Sequence, residues 1–170
     1  MKLDAGVVRS LEKILNEELA QCDLYIGLLF EEQKSVVALK PDQVSELGLK
    51  RAAAVENLSK LRDQRVKLIA AITGSESVKV SDLIQNNCSP SDKKRLLPLV
   101  QKLKQRIVHV EDKSREFNQV LNFSLGLVNG SMSILWSATQ SVTKSYNAFG
   151  TVTESIQPTA PRTGSSLGRA

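Results

Sequence analysis

Aromatic side chains are scarce in this chain, with one Trp, two Tyr and four Phe among 170 residues. So few aromatics, beside abundant Leu, Val, Lys, Glu and Gln, argue against a sandwich or barrel and for helices packed as a bundle or coiled coil. Cysteine is limited to Cys22 and Cys88, far apart and in no CxxC or Cys/His spacing, so neither a zinc site nor a redox pair is indicated. The expected state is two reduced thiols in a cytosolic protein. His109 is the single histidine. No metal cluster can be built on it, and no Ser/His/Asp or Cys/His arrangement has local support. A histidine phosphotransfer site would use a lone exposed histidine on a helix, with Lys113 one turn later as the cation. Glu111, Asp112 and Glu116 crowd that position, and acids beside a phosphoryl acceptor are unfavourable. An ordinary surface histidine is the expectation.

Glycine-rich phosphate loops are missing as well. Gly126 and Gly130 lie within a helical pattern and have no Lys-Ser or Lys-Thr behind them. The chain is therefore expected not to be an enzyme and to need no cofactor. The start, MKLDAGVVRSLEK, has charge at Lys2, Asp4 and Arg9 and no continuous apolar core, so it does not read as a secretory signal. A cytoplasmic location follows as the expectation. The net charge of +5 is mild, because Lys and Arg are interleaved with acids. The densest positive run, Lys93, Lys94, Arg95, Lys102, Lys104 and Arg106, has no aromatic among these positions to stack a base, so no nucleic-acid partner is expected.

What the chain has in quantity is helical periodicity. Its length and 41% apolar content suit one domain with a modest core. Val8, Leu11, Leu15, Cys22, Ile26, Leu29 and Val36 recur at spacings of three, four or seven, with Glu12, Lys13, Glu17, Glu18 and Glu31 mainly between them. Asp4 is a suitable N-cap and Pro41 a stop, which predicts a first helix over 4–39. Pro41 can open the next helix at its first turn. Val44, Leu47, Val55, Leu58, Leu61, Leu68, Ile69 and Ile72 carry its stripe to a left-handed cap at Gly74, giving 41–73. Two helices of similar length on so short a connection form an antiparallel hairpin, each arm ~50 Å long.

Between Gly74 and Pro90, Ser81 is a candidate cap for one short turn at 82–85. Ser89, Pro90 and Asp92 then place a cap, a first-turn proline and an acid at the start of a third long helix, 90–140. Its stripe is Leu96, Val100, Leu103, Ile107, Val110, Phe117, Leu121, Leu125, Val128, Met132 and Leu135. Pro98 should kink or loosen its first turns. At ~75 Å it is longer than either arm of the hairpin, so its end should remain uncovered. Residues 1–144 thus read as an all-α helical domain. The Ser-, Thr-, Gly- and Pro-rich segment 145–170 reads as a disordered tail.

Charge is distributed very unevenly along this pattern. Asp, Glu, Lys and Arg make up 37 of the first 116 residues, and then Phe117–Thr143 runs 27 residues with none. The tract is long enough to span a bilayer, where ~20 mostly apolar residues are needed. Asn118, Gln119, Asn122, Ser124, Asn129, Ser131, Ser133, Ser137 and Gln140 would each need a partner inside hydrocarbon, so membrane insertion is not expected. What remains is a helix with an apolar stripe and an uncharged back. That surface suits another apolar helix. Gly126 and Gly130 allow close approach, while Met132, Leu135 and Trp136 are residue types favoured at contact sites.

Three segments, LEKILNEELAQCDLYIGLLFEEQKSVVAL, PDQVSELGLKRAAAVENLSKLRDQRVKLI and NQVLNFSLGLVNGSMSILW, the last followed by Tyr146 and Ala148-Phe149-Gly150, resemble the FlgN family of flagellar export chaperones over about residues 8–150. The resemblance implies an all-helical cytoplasmic chaperone for hook–filament junction proteins (hook-associated proteins 1 and 3). It would hold their C-terminal helical segments before secretion and deliver them to the export gate and ATPase-complex components of the flagellar type III apparatus. Carried over to this sequence, client contact falls on Leu121, Leu125, Val128, Met132, Leu135 and Trp136, flanked by Phe117 and Phe123. Export-gate docking falls on Tyr146 and Phe149. The tail after Gly150 has no counterpart in that pattern. The competing expectation is a structural coiled coil that self-associates through its third long helix.

Overall fold

The computed structural model describes residues 3–75 and 78–140, with the backbone at 145–146 and 152–153. The chain forms two compact units, Met1–Leu125 and Gly126–Ala170. Among the described residues four helices occur in order: α1 (Ala5–Val37), α2 (Pro41–Thr73), α3 (Val80–Asn87) and α4 (Pro90–Gln140). A two-residue antiparallel pair, β1 (Ser145–Tyr146) with β2 (Val152–Thr153), follows in the second unit. The protein is all-α in class, with a long antiparallel hairpin and a further long helix. Apart from those two strands, the segment 145–170 expected to be disordered lies outside the described residues.

The helix ends show why these segments begin and stop where they do. The Asp4 carboxylate accepts from the Gly6 N–H and caps α1. At its other end the Leu39 N–H donates to the Val36 carbonyl and the Lys40 N–H to the Ser35 carbonyl, the paired bonds of a Schellman closure. Leu39 takes the left-handed position with φ 54°, so α1 stops at Val37 rather than continuing to residue 39. Pro41 opens α2 at its first turn, and Gly74, at φ 71°, closes it with its N–H on the Ala70 carbonyl. α3 is longer than the single turn expected. It starts after Lys79, so Ser81 is not the cap but lies in the first turn, its hydroxyl donating to the Asp82 carboxylate. Ser89 caps α4, accepting from the Asp92 N–H at 3.2 Å and donating to the Asp92 carboxylate at 2.6 Å. Pro98 sits inside α4, which continues through it although the ring removes one intrahelical donor.

In the first unit α1 is the central helix. It runs antiparallel to α2, with Glu18 against Arg65 and Glu32 against Arg51. It runs parallel to α4, with Glu12 paired to Arg95, Asp23 to Arg106, and the Tyr25 hydroxyl 3.2 Å from that of Ser114. The larger core joins Val8, Leu11, Leu15, Leu19 and Cys22 of α1 to Ile69 of α2, Leu83 and Ile84 of α3, and Leu96, Val100 and Leu103 of α4. Leu11, Leu15, Leu83, Ile84 and Leu96 are fully buried, each contributing on the order of 2 kcal/mol from removal of its apolar surface from water. α3 is tied to the start of the chain by the Leu3 N–H on the Asn87 carbonyl. A second cluster holds Tyr25, Leu29, Val36, Ala54 and Phe117. Cys22 and Cys88 are free and buried, and burial is the largest cause pushing both thiols up.

Two buried acids stitch α1 to α2. Arg65 Nε lies 3.1 and 3.0 Å from the two oxygens of Glu18, whose carboxyl is nonetheless pushed above its ordinary range because desolvation outweighs the attraction of Arg65 and, more weakly, Arg62. Glu32 accepts from Arg51 Nε at 2.7 Å, and that hydrogen bond is the largest cause raising the guanidinium pKa. Arg51 also lies over the Phe117 ring, 5.4 Å from its centroid, so one cation links all three long helices.

Candidate functional site

The candidate surface is the uncharged part of α4. Its first residue belongs to the core instead. Phe117 is 2% exposed, packed against Tyr25, Leu29, Val36 and Ala54 under the Arg51 guanidinium. It anchors α4 to the bundle and offers no outer face to a partner. Leu121 is half-buried against the same cluster. The register explains why packing ends there. Glu12–Arg95 and Asp23–Arg106 both set α4 83 positions ahead of α1, so the end of α1 at Val37 falls at about residue 120. Past that point α1 has no further turns to offer.

In the first unit Phe123 and Leu125 are exposed. In the second unit Val128, Met132, Leu135 and Trp136 are exposed, Trp136 at 69%. Leu127 and Ile134, which lie off that single stripe, are exposed as well, Ile134 at 70%. At 3.6 residues per turn, Leu121, Leu125, Val128, Met132, Leu135 and Trp136 share one side of α4. Phe123, Leu127 and Ile134, spaced four and seven apart, share the other. Phe123 therefore does not flank the first stripe. It belongs to a second apolar line across the helix.

Gly126 and Gly130 sit nearer the second line. A Cβ built at either meets nothing within 4 Å, so no described part of the chain approaches them closely. The Ser137 hydroxyl turns back to the Ser133 carbonyl at 2.8 Å, satisfying itself within the helix. From residue 117 to 137 no side chain carries charge, so this surface can hold a partner only through apolar contact and neutral hydrogen bonds. His109, further back on α4, is exposed. Tyr146 contributes backbone to β1, while its side chain and the whole of Phe149 lie outside the described residues. Among the described residues no helix is long and apolar enough to cross a membrane, and no group of three or more His, Cys, Asp or Glu could hold a metal ion.

The longest helix thus ends in two exposed, uncharged apolar lines, a surface chemically suited to apolar contact with another helix. Residues 1–154 match the family model described as FlgN protein, and the chain belongs to the FlgN family of flagellar export chaperones. No curated protein and no solved structure matches it. As a member of that family it binds flagellar substrate proteins.

Proposed function

We propose that this chaperone works in the cytoplasm on hook–filament junction subunits, hook-associated proteins 1 and 3, and that it covers their C-terminal amphipathic helices with the exposed end of α4. The observation that carries this reading is the run of exposed apolar residues from Phe123 to Trp136 on a stretch of α4 without one charge. A subunit that polymerises through an amphipathic terminal helix must have that helix covered until export. An uncharged apolar partner helix covers it without dictating a charge pattern. Burial of ~600 Å² of apolar surface would supply a gross ~15 kcal/mol, much of it offset by ordering both segments. Such a complex is specific enough to form and weak enough to release at the export gate of the type III apparatus. Tyr146 and Phe149 are the proposed gate contacts, and no covalent chemistry is required of the chain.

Light scattering coupled to size exclusion tests this directly. The free protein is expected as a small defined species that gains one client mass when mixed with the C-terminal segment of a hook–filament junction subunit. A large stable oligomer that ignores the client would overturn the reading and leave self-association through α4 as the account. Leu125→Asp separates the two further. A chaperone variant stays folded and loses its client, whereas an oligomer dissociates with no client present.

A further inference from the structure

The three long helices do not close on one another along their whole length. α1 packs against both α2 and α4, but between residues 62–69 of α2 and 100–107 of α4 a groove of about 460 Å³ stays open. Its floor is apolar, formed by Leu15 of α1 with Ile69, Val100 and Leu103, and Val78 and Val80 close the end nearest α3. Among the described residues, the charged side chains lining it are Arg62, Arg65, Lys79 and Lys104, all cations. Arg65 is engaged by Glu18. Arg62, Lys79 and Lys104 are exposed and form no ion pair among the described residues.

We propose that this groove docks about two turns of an acidic amphipathic helix from a partner protein. Eight residues of each wall at ~1.5 Å apiece give on the order of 10 Å, the length of two helical turns. Apolar side chains at i, i+3, i+4 and i+7 of the incoming helix settle on the accessible Val66, Val78 and Ile107 above that buried floor, and its flanking carboxylates reach Arg62, Lys79 and Lys104. Charge decides the occupant. The chain's own segment 145–170 carries Glu154 alone against Arg162 and Arg169, so its net charge repels it from a cationic rim. Among the described residues no aromatic side chain lines the groove to stack a base. The uncharged end of α4 cannot select a partner by charge. This groove does, and it stands whether or not α4 holds the junction subunits.

Two synthetic peptides test the proposal by fluorescence anisotropy against the full chain carrying Leu125→Asp, which closes the uncharged end of α4 to an apolar helix. Both carry the same Leu stripe at i, i+3, i+4 and i+7, one with Glu and the other with Lys at every flanking position. The Glu peptide is expected to bind, the Lys peptide about tenfold or more weaker, and added salt should weaken the Glu complex. Arg62→Glu combined with Lys104→Glu should cost about tenfold in affinity for the Glu peptide. Both positions are exposed, and a melting curve verifies that the variant is folded. The proposal is overturned if neither peptide binds, if both bind equally, or if the charge-reversed variant binds like the parent. A concentration-dependent dimer that the charge reversal abolishes would assign the groove to a second copy instead, which also overturns it.

Discussion

Leu39 holds a backbone conformation that favours glycine, and its side chain is exposed, so little packing offsets the steric cost. Leu39→Gly is expected to stabilise the protein by about 1 kcal/mol, read as a higher urea midpoint, because the Schellman closure needs the left-handed turn but not the side chain. Arg51 presents the opposite case. Arg51→Ala leaves the buried Glu32 carboxylate without its cation and removes the contact over Phe117, with an expected cost of about 3 kcal/mol in the same assay. Glu18 adds a pH dependence. Its folded pKa lies above the ordinary 4.5 because burial disfavours the charged form, so folding takes up a proton between the two values. The corresponding stability is fully present below the ordinary value and is lost as pH rises through the folded one. The parent's urea midpoint should therefore fall relative to that of Glu18→Gln across this window, and the two should run parallel outside it.

At the scale of elements, α4 shows what a sequence can and cannot specify. Asp4, Gly74, Ser89 and Pro90 mark helix ends by chemistry visible in single residues, and the structure uses each of them as a boundary. Leu39 and Lys79 carry no such signal. The left-handed turn at Leu39 is closed by backbone bonds to Val36 and Ser35, and α3 begins at the buried Val80; no capping side chain announces either, which is why α1 ends early and α3 is longer than one turn. The uncharged stripe was legible from spacing alone. Its division into a buried anchor at Phe117 and exposed residues beyond was not, because that depends on where α1 ends beside α4. Leu127 and Ile134 were obscured for another reason: a single line at spacings of three and four passes over a second line on the far side of the same helix. The glycines give a test of this end. Gly126→Ala and Gly130→Ala are expected to strengthen α4 by up to about 1 kcal/mol each, since an added methyl meets nothing, and circular dichroism during thermal melting would register it. Loss of client binding in the same variants would place the client against the glycine side.

For the first unit as a whole, the decisive fact is how unevenly the helices share the core. α2 buries only Ala54 and Ile69 among its apolar residues, while α1 directs Val8, Leu11, Leu15, Leu19 and Cys22 into a cluster completed by α3 and α4. A fragment ending at Gly74 is thus expected to lack a stable monomeric fold, showing broad amide signals or aggregation, even though it contains both arms of the hairpin. The same arrangement bears on biosynthesis. A nascent chain emerging from the ribosome can close its hairpin once α2 is complete, yet the apolar side of α1 waits for segments made later. A protein that shields the sticky helices of others passes through a stage, during its own translation, in which it has one to shield.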